Sequence, residues 1–333
     1  MLRSRFRNML LTMICCMAAE LVYAHSGVLK LSGVTASTPE MKGDWQVLTI
    51  PLKRAGQLFL IEAEIDTLRG NFILDTGAPY LVLNKTYFRP GIRDLSATAS
   101  GVNGNSAQEV ERITVSRLKL SELYYEDIEA DVTNLGHLEN KRETKILGLL
   151  GVNLFRNCKL VLDSRANQLI LYRQDQLANE SLQPVTYTDT LLADKTPDIS
   201  TPFRLCDNKI FIPVEVSGQK MNWILDTGAE TNVLDAWSNK KIMREFIINR
   251  RINLTGSTGE KQDVLLGVMP QLQVGSESFL MQQALVTSMK ELSEACSAYI
   301  DGILGNNFLS QGIYVIDFKK NQFTMYLYNQ LDK

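Results

Sequence analysis

Two aspartates in this chain have the setting that carboxylate chemistry needs. Asp75 and Asp226 each open an Asp-Thr-Gly triplet, Asp75-Thr76-Gly77 and Asp226-Thr227-Gly228. Each triplet follows an apolar run, Phe72-Ile73-Leu74 or Trp223-Ile224-Leu225, so each carboxylate is expected at the end of a strand. The glycine permits a tight turn or a close approach that a side chain would block, and the threonine hydroxyl can join a hydrogen-bond network. One isolated triplet reads as a surface turn with a capping aspartate. Two at equivalent places bring a pair of carboxylates together across a pseudo-twofold axis. Such a pair shares one proton over a wide pH range. One member can then act as general base on a water while the protonated member polarises a carbonyl, and a proton can pass to a departing amide nitrogen. The proton belongs to the pair, so neither role is assigned to one residue.

The elements that position these residues are duplicated. The block Gly70–Asn84 returns as Met221–Asp235 at a shift of 151 residues. Gly148–Phe155 (GLLGVNLF) returns as Gly302–Leu309 (GILGNNFL) at a shift of 154, and Leu162-Asp163…Asn167-Gln168 matches Ile316-Asp317…Asn321-Gln322 at the same shift. Strand-like alternation marks each copy, as in Phe59–Ile65 and Phe211–Val216. Each copy ends in a hairpin, Lys159–Asp163 into Gln168–Tyr172 and Tyr314–Phe318 into Gln322–Tyr328, with Asn and charged residues at the turns. Helix is sparse: a short one within Asp235–Phe246 and single turns near Leu150–Phe155 and Leu304–Leu309. The expected fold is therefore all-β, in two lobes at 45–173 and 202–330. The polar stretch 174–201, with Pro184 and Pro197, reads as their linker.

Ahead of the lobes, Arg3, Arg5 and Arg7 precede an apolar run from Met9 to Ala19, then Val22-Tyr23-Ala24. This is the pattern of a secretory signal over 1–24, cleaved after Ala24, with a short N-terminal extension at 25–44. The apolar run is too short to cross a bilayer, and no second run is long enough, so no stable membrane insertion is expected. The destination is exported, periplasmic or extracellular. Losing three Arg and one Glu with that segment takes the formal charge from -2 to about -4. A mildly acidic chain without a basic block is not a nucleic-acid binder.

Cys158, Cys206 and Cys296 remain, without CxxC spacing, which excludes a disulfide scaffold and a zinc site; a single Cys206–Cys296 bridge is compatible with export. His25 and His137 are the only histidines and form no HExxH pair, and there is no GxSxG elbow. No cofactor or metal is expected.

FILDTGAP and WILDTGAE resemble the active-site motif of the aspartic peptidases, specifically bacterial members related to the retroviral-type, retropepsin-like group. The second copy, continuing Ala229-Glu230-Thr231, is the nearer match. GLLG and GILG at Gly148–Gly151 and Gly302–Gly305 resemble the family's hydrophobic-hydrophobic-Gly element. The resemblance implies a duplicated pepsin/retropepsin-like acid protease fold with Asp75 and Asp226 as the catalytic dyad. Thr76 and Thr227 would brace the two loops reciprocally, and Gly77 and Gly228 would shape the turns. It also implies flaps, for which Ser100–Gly104 and Thr255–Gly259 are the candidates. Pro79 departs from the family pattern, neither flap candidate holds the tyrosine of pepsin-like enzymes, and the short 25–44 extension leaves no room for a long propeptide.

The function expected is peptide-bond hydrolysis by an aspartic endopeptidase acting on a peptide or protein substrate. Leu81, Val82 and Val233 would line apolar subsites. With both lobes in one chain, a monomer suffices. The alternative is a non-catalytic protein that binds peptides in the cleft between the lobes.

Overall fold

The computed structural model describes residues 38–89, 111–140, 142–175, 179, 183–255 and 261–332. The expected signal and the flap candidate at 100–104 lie outside these residues, as does most of the second flap candidate.

The first half of the chain forms β1 (Val47–Pro51), β2 (Lys53–Ala55), β3 (Leu58–Ile65), β4 (Leu68–Leu74), β5 (Leu81–Asn84), β6 (Glu111–Leu120), β7 (Leu123–Thr133), α1 (Gly136–Asn140), β8 (Ile146–Leu150), a 3-10 turn at Val152–Phe155, β9 (Cys158–Asp163) and β10 (Gln168–Arg173). The second half forms α2 (Tyr187–Leu192), β11 (Ile199–Pro202), β12 (Arg204–Cys206), β13 (Lys209–Val216), β14 (Gln219–Leu225), β15 (Asn232–Asp235), α3 (Lys240–Glu245), β16 (Ile247–Thr255), β17 (Lys261–Val274), β18 (Glu277–Thr287), α4 (Lys290–Ala295), β19 (Gly302–Leu304), α5 (Asn306–Leu309), β20 (Gly312–Asp317), β21 (Gln322–Leu327) and α6 (Tyr328–Leu331).

Each half builds one sheet of its own, and the two share a third. The first lobe orders its seven strands β2-β3-β4-β8-β5-β7-β6, and β3 also pairs with β6. The second lobe orders eight as β12-β13-β14-β19-β15-β18-β17-β16, with β13 also paired to β17. In each lobe the strand leading into the Asp-Thr-Gly loop lies parallel to the glycine-bearing strand, β4 beside β8 and β14 beside β19. These central strands are covered on both faces, which is why Ile146–Leu150 is buried at every position and reads as a continuous apolar run.

The third sheet, β1-β10-β9-β20-β21-β11, joins the lobes. Its centre is the antiparallel pair β9–β20, in which Val161 faces Val315, its own counterpart in the repeat. The pseudo-twofold therefore passes between those two valines. The hairpins on either side turn at Asn167 and Asn321, both with positive φ (51° and 50°), a conformation asparagine tolerates. The polar stretch between the lobes carries α2, which starts with a reciprocal cap between Thr186 and Asp189, and then β11, which extends the shared sheet.

Two expectations are corrected. The short helix expected from Asp235 to Phe246 is present but starts later and spans Lys240–Glu245, because Asp235 ends β15 and its carboxylate accepts from Met289 N–H and Tyr299 O–H. Leu81, Val82 and Val233 do not line a cleft. They are at most 2 % exposed and pack into the hydrophobic clusters on the faces of their sheets.

Candidate active site

The two loops are tied by four buried hydrogen bonds that cross between lobes. Thr76 N–H donates to Thr227 Oγ1 (3.0 Å), and Thr227 N–H donates to Thr76 Oγ1 (2.9 Å). The hydroxyls then donate onward, Thr76 Oγ1 to Leu225 O (2.9 Å) and Thr227 Oγ1 to Leu74 O (2.7 Å). Each hydroxyl is thus donor and acceptor at once, a dual role that valine cannot reproduce.

Within its loop, each aspartate is held by backbone amides. Asp75 Oδ1 accepts from Gly77 N–H (2.9 Å) and Ala78 N–H (3.0 Å), and Asp226 Oδ1 accepts from Gly228 N–H (2.7 Å). Asp75 is fully buried and Asp226 is 8 % exposed. Their closeness shows at the glycines. A Cβ on Gly77 would stand 2.6 Å from the Asp226 carboxylate, and one on Gly228 would stand 2.5 Å from that of Asp75. Each carboxylate occupies the space that the other loop's glycine leaves open.

Behind the loops, the GLLG and GILG segments supply the backing. Asp75 N–H donates to Leu150 O (3.1 Å) and Asp226 N–H to Leu304 O (3.0 Å). Asn306 Nδ2 adds a bond to Thr227 O (2.7 Å), where the first lobe has Val152. All six residues assigned from the motifs, Asp75, Thr76, Gly77, Asp226, Thr227 and Gly228, therefore meet at one point between the lobes. The arrangement offers two adjoining carboxylates in fixed orientation, a geometry suited to acid–base work on a bound water.

The site also contains residues to which the motifs assigned no role. Glu230, 1 % exposed, follows the second loop and crosses into the first lobe, where Arg142 Nη2 lies 3.5 Å from its Oε1 and Gln57 N–H donates to the same oxygen (3.3 Å). The repeat places Pro79 and Cys296 at the corresponding positions, so this ion pair has no twin. The only hint in the sequence is Glu230 standing where the first copy has Pro79. Lys209, 1 % exposed, is the other. The β13–β14 register pairs Phe211 with Ile224, so continuing it by two residues sets Lys209 opposite Asp226. The same extension in the first lobe, from Leu60–Ile73, sets Leu58 opposite Asp75.

The cysteines are thiols in the structure. Cys206 Sγ lies 3.6 Å from Cys296 O, so these two are neighbours, whereas Cys158 packs against Met41 Sδ at 3.3 Å. Among the described residues no cluster of His, Cys, Asp and Glu could hold a metal ion, and no helix is long and apolar enough to cross a membrane.

Comparison with known proteins identifies the family. The sequence profile of the aspartyl protease family matches twice, over residues 61–154 and 212–308, one match per lobe. No curated protein matches. Among solved structures the chain is similar to edgp (11 % identity, covering 88 % of this chain and 96 % of that one, TM-score 0.46). It is also similar to an aspartic proteinase from Irpex lacteus (13 %, 84 % and 97 %, TM-score 0.45). A third is conglutin gamma, a basic 7S globulin from lupine seeds (10 %, 88 % and 97 %, TM-score 0.47). With both lobes matched over more than half its length, the chain belongs to the aspartyl protease family, in a retropepsin-like two-lobe arrangement.

Proposed function

We propose that the protein is an aspartic endopeptidase that hydrolyses peptide bonds through a water activated by Asp75 and Asp226. The observation that carries this reading is the mutual approach of the two carboxylates across Gly77 and Gly228, locked by the reciprocal threonine bonds. A water between the carboxylates gives up a proton to the ionised member and attacks the scissile carbonyl carbon. The protonated member donates to the carbonyl oxygen, and a gem-diol forms. Collapse breaks the C–N bond as a proton reaches the departing nitrogen, leaving one carboxylic acid and one amine. The two roles exchange over the cycle, which suits a site built from two nearly equivalent loops.

The substrate is an extended peptide lying between the lobes, and catalysis needs no metal or cofactor. One chain supplies both halves of the site, so the working form is a monomer, exported to the periplasm or beyond. The test follows digestion of a denatured protein in 18O-labelled water. The expected result is one labelled oxygen in each new carboxyl group, and cleavage lost in Asp226→Asn. Cleavage that survives that substitution would overturn the mechanism. A folded chain that binds peptides without cleaving them would instead make this a peptide-binding protein.

A further inference from the structure

Lys209 puts a buried charge beside the second catalytic loop where its twin in the first lobe, Leu58, is hydrocarbon. In the first lobe Leu58, opposite Asp75 by the extended register, packs with Ala55, Leu60, Ile73 and Val82. The second lobe repeats this cluster with Phe211, Ile224 and Val233, but sets Lys209 at the place of Leu58 and Cys206 at that of Ala55. A sealed ammonium is costly unless an opposite charge compensates it. Lys209 Nζ makes no hydrogen bond of good geometry among the described residues.

Across the β12–β13 hairpin Lys209 stands opposite Cys206, and the groups whose charge acts on it are, in falling order, the Cys296 thiol, Asp207 in the turn, Asp226 and Asp75. Glu230 and Arg142, the other buried charges beside the second loop, face each other. Burial pulls the lysine below its usual range, and the thiol of Cys296 and the carboxylates of Asp207, Asp226 and Asp75 oppose that pull. Asp207 acts more strongly on the lysine but belongs to an exposed turn, where solvent screens it, whereas Asp75 and Asp226 are buried negative charge.

We propose that Lys209 is a positioning residue for the dyad: its ammonium, sealed behind the second catalytic loop, holds the shared negative charge of Asp75 and Asp226 and sets the pH window in which the pair keeps one proton. This rests on the peptidase reading of the two aspartates. A nearby cation favours ionised carboxylates, so it draws both titrations of the pair to lower pH. Removing it moves both upward, and the bell-shaped dependence of kcat/KM moves with them. The asymmetry also gives the pair a preferred microstate, with the negative charge nearer Asp226.

The experiment compares the wild type with Lys209→Met and Lys209→Leu, the second placing in this lobe the residue its twin already carries. Cys296→Ala serves as a control that disturbs the same pocket but leaves the ammonium. Both limbs of the kcat/KM profile are expected to rise by about one pH unit in the lysine variants and to stay in place in the control. Carboxyl-13C NMR of the aspartates, assigned by Asp75→Asn and Asp226→Asn, reads the same shift without turnover. If the wild type cleaves nothing, the peptidase reading fails and the NMR titration alone decides the role of Lys209. If neither lysine variant folds, the reciprocal effect decides it: Asp226→Asn should lower the Lys209 titration, read by Lys 13Cε NMR. Dyad titrations unmoved in a folded lysine variant, or a Lys209 titration unmoved by Asp226→Asn, would overturn the proposal.

Discussion

Replacing Thr227 with valine keeps the shape of the side chain and removes one oxygen with two bonds. Thr227 Oγ1 accepts from Thr76 N–H and donates to Leu74 O, and both threonines are at most 3 % exposed. The substitution therefore strands one buried donor and one buried acceptor on the opposite lobe, where water cannot replace the hydroxyl without entering the loop contact. Each stranded group costs about 1–3 kcal/mol, so Thr227→Val should lose roughly 2–6 kcal/mol, a large part of a typical total stability. Thr227→Ser restores the oxygen and should recover most of that loss. Thr76→Val added to Thr227→Val should deepen the loss, because it strands a different pair of backbone groups, Thr227 N–H and Leu225 O. Urea unfolding followed by the fluorescence of Trp223, buried in the second lobe, gives the comparison. A loss under about 0.5 kcal/mol for Thr227→Val, no more than an ordinary surface change, would refute the claim that these bonds join the lobes.

Gly228→Ala drives a methyl into the Asp75 carboxylate, so the dyad must open. Overpacking of this kind should cost about 1–3 kcal/mol and, by misplacing reacting groups, at least roughly 100-fold in kcat, read by steady-state peptide cleavage. Arg142→Met leaves Glu230 buried without its ion-pair partner and should cost about 3–5 kcal/mol in urea melts, whereas Arg142→Met with Glu230→Gln should recover much of it. Asp75→Asn should abolish turnover while unfolding within about 1 kcal/mol of the wild type, since the amide can still accept from Gly77 and Ala78 through its oxygen.

How much could be read from the chain depends on which residues repeat. The duplicated blocks around Asp75 and Asp226 specify the paired loops, and the spacing of GLLG and GILG specifies the parallel strands β8 and β19 that back them. The closing hairpins were legible from alternation and from Asn167 and Asn321. That they meet in a shared sheet was not, because the Val161–Val315 pairing joins residues far apart in sequence and depends on the docked lobes. Leu81, Val82 and Val233 show the limit of reading apolar residues near a site as its wall, since both faces of their strands pack into core clusters. Lys209 and the Arg142–Glu230 pair were invisible for the opposite reason. Each is a departure from the repeat, and a single lysine after Asn208 or arginine after Lys141 looks like ordinary surface charge until strand register and burial are known.

The most direct test of the account is digestion of a denatured protein from pH 3 to 8 by the chain from His25 onward, beside the Asp75→Asn, Asp226→Asn double variant. Cleavage by the wild type that vanishes in a variant shown by circular dichroism to be folded is the predicted result. Equal cleavage by both proteins would contradict the assignment of Asp75 and Asp226, however closely the two loops meet.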